Sequence, residues 1–290
     1  MILVAGGSGR LGRRVVAALT ARGETVRVLT RDPGRTRDLL GPEVEVVRGD
    51  VRDREAVAAA AAGATAVVSA VHGLLGGVGA GPDQVDRVGN GRLAEAARRG
   101  GATFVLVSAI GADDRSPLDL FRAKRAAEQQ LTGTNWVVVR AGPFLETWIE
   151  VLRASAGRSG RPLVLGRGER LLPLVSVGDV AAVVTHATVD ASLHGCVLEV
   201  AGAGTSMTAL ATAVQRRDGG AGSPRHLPRA VLRLTAGVTG PVRPVVARMG
   251  RAALVLDTTD LGGGDTGLRD RLGLPPATTL EEVLSAPVGT

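Results

Sequence analysis

Gly6, Gly9 and Gly12 recur at every third position in VAGGSGRLG (4–12), after an apolar run and ahead of the helix-patterned RLGRRVVAALTARG. Glycine allows a sharp turn and a close backbone approach, and a helix start offers unpaired N–H groups with a partial positive charge. Those properties cradle phosphate. The loop of Gly6, Ser8, Gly9, Arg10, Leu11 and Gly12 is therefore expected to hold the pyrophosphate of a dinucleotide. Which dinucleotide is read at the end of the next apolar run, TVRVLTR (25–31). An acidic side chain there would accept ribose hydroxyls, whereas Arg31 suits a 2′-phosphate and points to NADPH. Asp32, one residue on, leaves NADH open. Asp50 and Val51, after VEVVRG, either meet an adenine edge or end their strand in a plain turn.

A nicotinamide cofactor delivers hydride, and the protein must orient, polarise and supply a proton. Lys124, on the helix-like stretch DLFRAKRAAEQQL (119–131), can position such a cofactor. His72 opens the glycine-rich HGLLGGVGAGP (72–82) and has an ordinary pKa suited to proton transfer; its plainer reading is a surface histidine. Ser108, in TFVLVSAIG (103–111), either orients a substrate oxygen or is a satisfied strand-end hydroxyl. A substrate hydroxyl or water is a further proton source. Phe121, Phe144 and Trp148 could wall a flat apolar ligand or simply pack in the core. Four dispersed His and one Cys give no metal-ligand spacing, so no metal is expected.

These side chains need a scaffold, and the pattern of apolar runs supplies one. Buried strands are expected at 2–6, 25–31, 44–50, 65–71, 103–111, 134–142 and 196–202. Between them helices are expected at 10–23, 35–40, 53–62 and 83–99, then from Ser116 through Lys124, and again from 178. Strands this apolar, separated by helices, imply an α/β fold: a parallel sheet covered on both faces. The runs 163–166 and 170–177 read as an excursion from the sheet. Beyond 202, helices at 207–217, 228–235, 244–254 and 280–285, with linkers at 216–226 and 237–243, form a smaller C-terminal lobe.

The 290 residues suffice for a full core, which must be built from Val, Leu and Ala because aromatic residues are only 2%. The net charge of +7 comes from scattered arginines and short pairs such as Arg13-Arg14 and Arg98-Arg99, with no basic helix interleaved with aromatics. That argues against nucleic acid and suits a phosphorylated small ligand. The most apolar window, 56–71, is broken by Gly63 and Thr65 and reads as helix end, turn and strand rather than a membrane span. Cys196 has no disulfide partner and reads as a buried thiol, and the opening MILVAGGSGR reads as no secretory signal, so the cytoplasm is the expected compartment.

GGSGRLG, the GDV of 49–51, FVLVSAIGAD (104–113), Lys124 with Glu128 in FRAKRAAEQQL, NWVVVRAGPFLETW (135–148) and SVGDVA (176–181) together resemble the NmrA-like, atypical branch of the short-chain dehydrogenase/reductases. The resemblance implies a Rossmann-type doubly wound sheet over 1–155 with returning elements at 176–202. A smaller, discontinuous substrate lobe would then comprise 156–175 and 203–290. It also implies that Ser69, Ala70 and Val71 meet the cofactor's middle, that Lys124 holds the nicotinamide ribose, and that Ala141, Gly142, Pro143 and Phe144 flank the nicotinamide. Members of this branch reduce enones, quinones, ketones or imines, or bind cofactor as redox-responsive regulators. Its Tyr-containing members carry the phenol four residues before the Lys; here that residue is Leu120, and the chain has no Tyr at all. The composition and the Tyr-free site are similar to tailoring ketoreductases of actinomycete aromatic polyketide pathways. An NADPH-dependent reductase of a polycyclic aromatic ketone or quinone is the implied activity, with a small-molecule partner rather than nucleic acid or a membrane.

Overall fold

Residues 1–133, 135–232, 244–262 and 267–286 are described by the computed structural model, without the side chains of Pro244 and Val246. Seven strands lie side by side: β1 (Ile2–Ala5), β2 (Val26–Thr30), β3 (Glu45–Arg48), β4 (Ala66–Ser69), β5 (Thr103–Ala109), β6 (Trp136–Ala141) and β9 (Val197–Val200). Their order is β3-β2-β1-β4-β5-β6-β9, and every pairing is parallel. This is the doubly wound, Rossmann-type α/β sheet, and its order reverses between β1 and β4. A crevice opens at the carboxyl ends of strands at such a switch point.

Apolar runs with no polar alternation make the strands two-faced, and helices cover both faces. Helices α1 (Arg10–Ala21) and α7 (Val177–Val189) bury Val15, Val16, Leu19, Val180 and Val184 against one face. On the other, α3 (Arg54–Ala61), α4 (Asn90–Gly100) and α5 (Asp119–Gln129) bury Val57, Leu93 and Ala127 against Leu3, Phe104 and Leu106. Residues Asp83–Gly89, just before α4, form a π-helix rather than the α-helix expected there. Asp32 caps α2 (Pro33–Leu40), Asp53 caps α3 and Ser176 caps α7 through side-chain oxygens. Helix α5 departs from expectation: it begins at Asp119 after Leu118, and the Ser116 hydroxyl instead accepts from the Leu118 N–H at 3.2 Å.

A second core lies beside α5. Helix α6 (Leu145–Ala156), which the sequence reading missed, buries Leu145, Ile149 and Leu152 there with Leu118 and Phe121. The expected excursion becomes two small sheets: β7 (Leu163–Leu165) pairs in parallel with β11 (Arg225–Leu227), and β8 (Leu171–Leu172) runs antiparallel to β10 (Thr205–Ser206). Helices α8 (Met207–Arg217) and α9 (Pro244–Thr258) complete this core. Of the helix expected at 228–235, positions 229–232 are helical; the remainder, the linker at 237–243 and Thr134 lie outside the described residues. Asp257 of α9 accepts from the backbone N–H of Arg167 and Gly168 and from Arg229. The short helices α10 (Leu268–Arg271) and α11 (Leu280–Ser285) follow, and Thr278 between them donates twice to Asp179 of α7. Among the described residues no helix is long and apolar enough to cross a membrane.

Candidate functional site

The glycine loop turns from β1 into α1 at the switch point. Gly6 has φ +85°, and a Cβ there would stand 2.7 Å from the Ala70 carbonyl oxygen, so only glycine fits. A Cβ at Gly12 would collide with the Gly6 carbonyl, which is how the helix start packs tightly on the strand exit. Gly9 caps α1 without a side chain, and the first turn carries no acidic residue. The positive end of α1 is thus left to something other than the protein, which fits a pyrophosphate. Ser8 is half-buried, Leu11 is buried, and Arg10 forms an ion pair with Glu150 of α6.

Arg31 is exposed at the end of β2. Asp32, which could have turned to accept a ribose, instead caps α2 by accepting from Arg35 N–H at 3.2 Å. Asp50 is gripped by Arg52, with guanidinium contacts of 2.6 and 3.0 Å and a backbone one of 2.9 Å. Hydrogen bonding from Arg52 holds the Asp50 carboxyl below its ordinary pKa, and the charges of Arg52 and Arg31 add to this. Arg52, absent from the sequence expectations, also donates to Gly79 O at 2.7 Å and so tethers the glycine-rich 72–82 loop. Val51 is half-buried and lies against Gly89, where a Cβ would come within 2.8 Å of it.

Lys124 is 5% exposed. It donates to Val107 O at 2.7 Å and to Val71 O at 3.1 Å, and it pairs with the Asp86 carboxylate at 3.0 Å. An ammonium has three hydrogens; two go to these carbonyls, and the Asp86 contact is one of charge without a hydrogen bond, so one hydrogen is left for a ribose hydroxyl. Asp86 is completely buried, and its second oxygen accepts from Gly73 N–H at 2.7 Å. Ser69 donates to Asn90, whose amide donates to Asp86 O at 2.7 Å. Sequence reasoning overlooked Asp86, but a signal was there: Asp86, Asn90, Leu93 and Ala97 share one helical stripe, with two polar groups on an otherwise apolar face.

His72 follows Val71 directly. It is solvent-exposed yet closely surrounded by protein atoms. That crowding disfavours its charged form and lowers its pKa; the Asp86 carboxylate opposes the shift and Lys124 adds to it. Ala141 is buried at the end of β6, and a Cβ on Gly142 would strike the Pro173 carbonyl. Pro143 O accepts from Val175 N–H at 3.0 Å, and Phe144 bridges Val175 at the head of α6.

Other expected groups are drawn elsewhere. Ser108 is buried and donates to Glu128 at 2.5 Å, so its hydroxyl faces α5 instead of standing free for a substrate. Burial alone would raise the Glu128 pKa, but hydrogen bonds from Arg140 and Ser108 outweigh it and hold the carboxyl low. The three aromatic residues do not wall one pocket. Phe121 is buried in the second core against Gly111, and Phe144 packs on the α1/α7 core. Trp148 alone lines a small apolar pocket, with Leu152, Leu163, Leu172, Met207 and Leu256. Leu120, at the missing tyrosine's position, is half-buried against the second core. Cys196 is half-buried. Among the described residues no group of three or more His, Cys, Asp or Glu is placed to hold a metal.

An NAD(P)H azoreductase of Xenophilus azovorans is 31% identical to the chain over 190 residues, which are 64% of this chain and 63% of that protein. The chain thus spans less than two thirds of the length of the curated relatives it matches. A nucleoside-diphosphate-sugar epimerase structure from Staphylococcus aureus superposes with a TM-score of 0.81 at 16% identity, covering 98% of this chain and 99% of that one. An Escherichia coli NADPH-dependent quinone oxidoreductase, solved with NADPH, gives 0.80 at 21% identity, covering 98% and 99%. At such identities the two structures speak for the fold. The NAD(P)H-binding family model matches residues 6–191, from the glycine loop through α7 and taking in Lys124. With an uncapped glycine cradle at the switch point of a Rossmann sheet, the chain belongs to the NAD(P)H-binding family.

Proposed function

We propose that this protein is an NADPH-dependent reductase of a bulky aromatic ketone or quinone, with a polycyclic ketone of the angucyclinone kind as the specific candidate. One observation carries the reading: the glycine cradle, exposed His72 and buried Lys124 gather around the carboxyl ends of β1, β4 and β5. Similarity to an azoreductase and to the fold of a quinone oxidoreductase supports it, as does resemblance to the NmrA-like branch. Arg31, exposed beside Asp50, favours the 2′-phosphate of NADPH, and Asp32 is occupied as a cap.

In this reading Gly6, Ser8, Gly9, Arg10, Leu11 and Gly12 hold the pyrophosphate, Asp50 and Val51 the adenine, and Ser69, Ala70 and Val71 the middle of the cofactor. Ala141, Gly142, Pro143 and Phe144 flank the nicotinamide. When bound, reduced nicotinamide supplies a hydride for the carbonyl carbon, and the oxygen takes one proton to give the alcohol. His72 takes up a proton from the solvent to which it is open, hands it from the imidazolium to that oxygen and returns to the neutral ring that its lowered pKa favours. A substrate phenol or water is the alternative donor, and Ser108, tied to Glu128, needs to break that bond to assist. Lys124 fixes the backbone around His72 through Val71 O and Val107 O, and its remaining hydrogen is the one that would meet the ribose.

The burial of Lys124 and the absence of tyrosine favour a second reading, a sensor that binds NADP(H) without turnover. NADPH consumption with an azo dye, menadione and a polycyclic aromatic ketone, followed by product mass, separates the two. Reduction of the ketone to its alcohol is the expected result. A product reduced at a carbon–carbon double bond would make the protein an enone reductase, and NADPH binding with no turnover on any acceptor would leave the sensor.

A further inference from the structure

We propose that Asp86 is a positioning residue of the cofactor site: with Lys124 it clamps both peptide groups that flank His72. The carbonyl of the Val71–His72 peptide accepts from Lys124 at 3.1 Å, and the N–H of the His72–Gly73 peptide donates to Asp86 at 2.7 Å. Lys124 and Asp86 are themselves joined at 3.0 Å. One ion pair thus straddles one residue and sets the backbone from which the imidazole projects.

Three independent features support a positioning role. First, the pair is buried, and a buried pair stabilises a fold no better than apolar side chains of the same volume. Second, Asp86 reaches inward from a seven-residue π-helix, a rare conformation concentrated at functional sites. Third, the same peptide segment is gripped from the other side. Arg248 of α9 donates to Gly73 O at 3.4 Å and to Gly76 O, and Gly73 packs so tightly on Gly81 that a Cβ would lie 2.5 Å from its carbonyl carbon. The clamp also backs the glycine cradle, because Gly6 rests on Ala70 and Val71.

This inference rests on the reductase reading only for what His72 does; the clamp itself is tested by binding. The decisive variant is the double substitution Asp86→Leu with Lys124→Met, which replaces the pair by apolar groups. The exchange removes the buried charges and leaves Gly73 N–H and Val107 O unpaired, so a merely structural pair loses stability alone, whereas a clamp loses cofactor affinity as well. The expected result is a folded double variant that melts lower than the wild type and whose NADPH dissociation constant, from a fluorescence titration, rises about tenfold. A folded double variant with the wild-type constant overturns the proposal. Should it not fold, Asp86→Asn retains an oxygen for Gly73 N–H and removes only the charge facing Lys124. It is expected to shift the His72 ring resonances in the cofactor-free protein and to weaken NADPH binding severalfold; unchanged resonances and binding overturn the proposal. Wild-type protein that binds NADPH but reduces no acceptor would remove the reductase reading and leave the clamp to these measurements.

Discussion

A methyl group at Gly12 has nowhere to go, because the Gly6 carbonyl occupies its place. Gly12→Ala is therefore expected to abolish NADPH binding and to lower the melting temperature. Gly23→Ala is the control. Gly23 sits at positive φ, +80°, but nothing stands within 4 Å of its missing Cβ, so Gly23→Ala loses about 1 kcal/mol of stability and keeps cofactor binding. Calorimetry with and without NADPH distinguishes the two. At this scale the glycine turn was legible in the sequence, since its glycines, strand exit and helix start are neighbours in the chain. Lys124 stood out in the sequence as a candidate, but not what it touches. Its partners come from Val71, Asp86 and Val107, 17 to 53 residues away, and only the fold brings them together.

At the scale of elements, Glu128 holds the end of α5 to β5 and β6. It accepts from Ser108 on β5 and from Arg140 on β6 at 2.7 and 3.0 Å, and it pairs with Arg125 on its own helix at 3.2 Å. Its side chain is 5% exposed and that of Arg140 is 23% exposed, so Glu128→Gln is expected to cost about 2–3 kcal/mol in urea unfolding at neutral pH. The folded-state pKa of Glu128 is depressed, so the wild-type advantage is present above the ordinary carboxyl pKa and is lost as pH falls through the folded value. The two unfolding curves should converge in acid; a constant gap would mean that charge is not the cause. Helix types and most boundaries followed from apolar periodicity, yet α6 was missed. Its apolar face meets the second core, whose β7, β8, β10 and β11 have two or three residues each and carry no periodicity of their own. The π-helix also escaped, because its local pattern is that of an ordinary amphipathic helix.

Across the whole molecule, two buried aspartates tie distant parts of the chain. Asp257 joins α9 to the loop after β7 through Arg167 and Gly168 N–H, and a Cβ on Gly166 would run into it. Asp179 joins α7 to the C-terminal segment through Thr278 and Arg269. Asp257→Asn is expected to raise hydrogen exchange of the β7 and β8 amides and to leave the seven-stranded sheet protected, since the two rest on separate cores. Uniform loosening of both would show that they open together.

A π-helix is an α-helix with a residue too many, and the one at Asp83–Gly89 makes the number of residues in this stretch part of its geometry. Loss of a single residue there would swing the stretch around its axis by about 100° and carry Asp86 away from Lys124. Substitutions along its outer face can accumulate unnoticed, whereas a one-codon deletion is felt at the cofactor cleft.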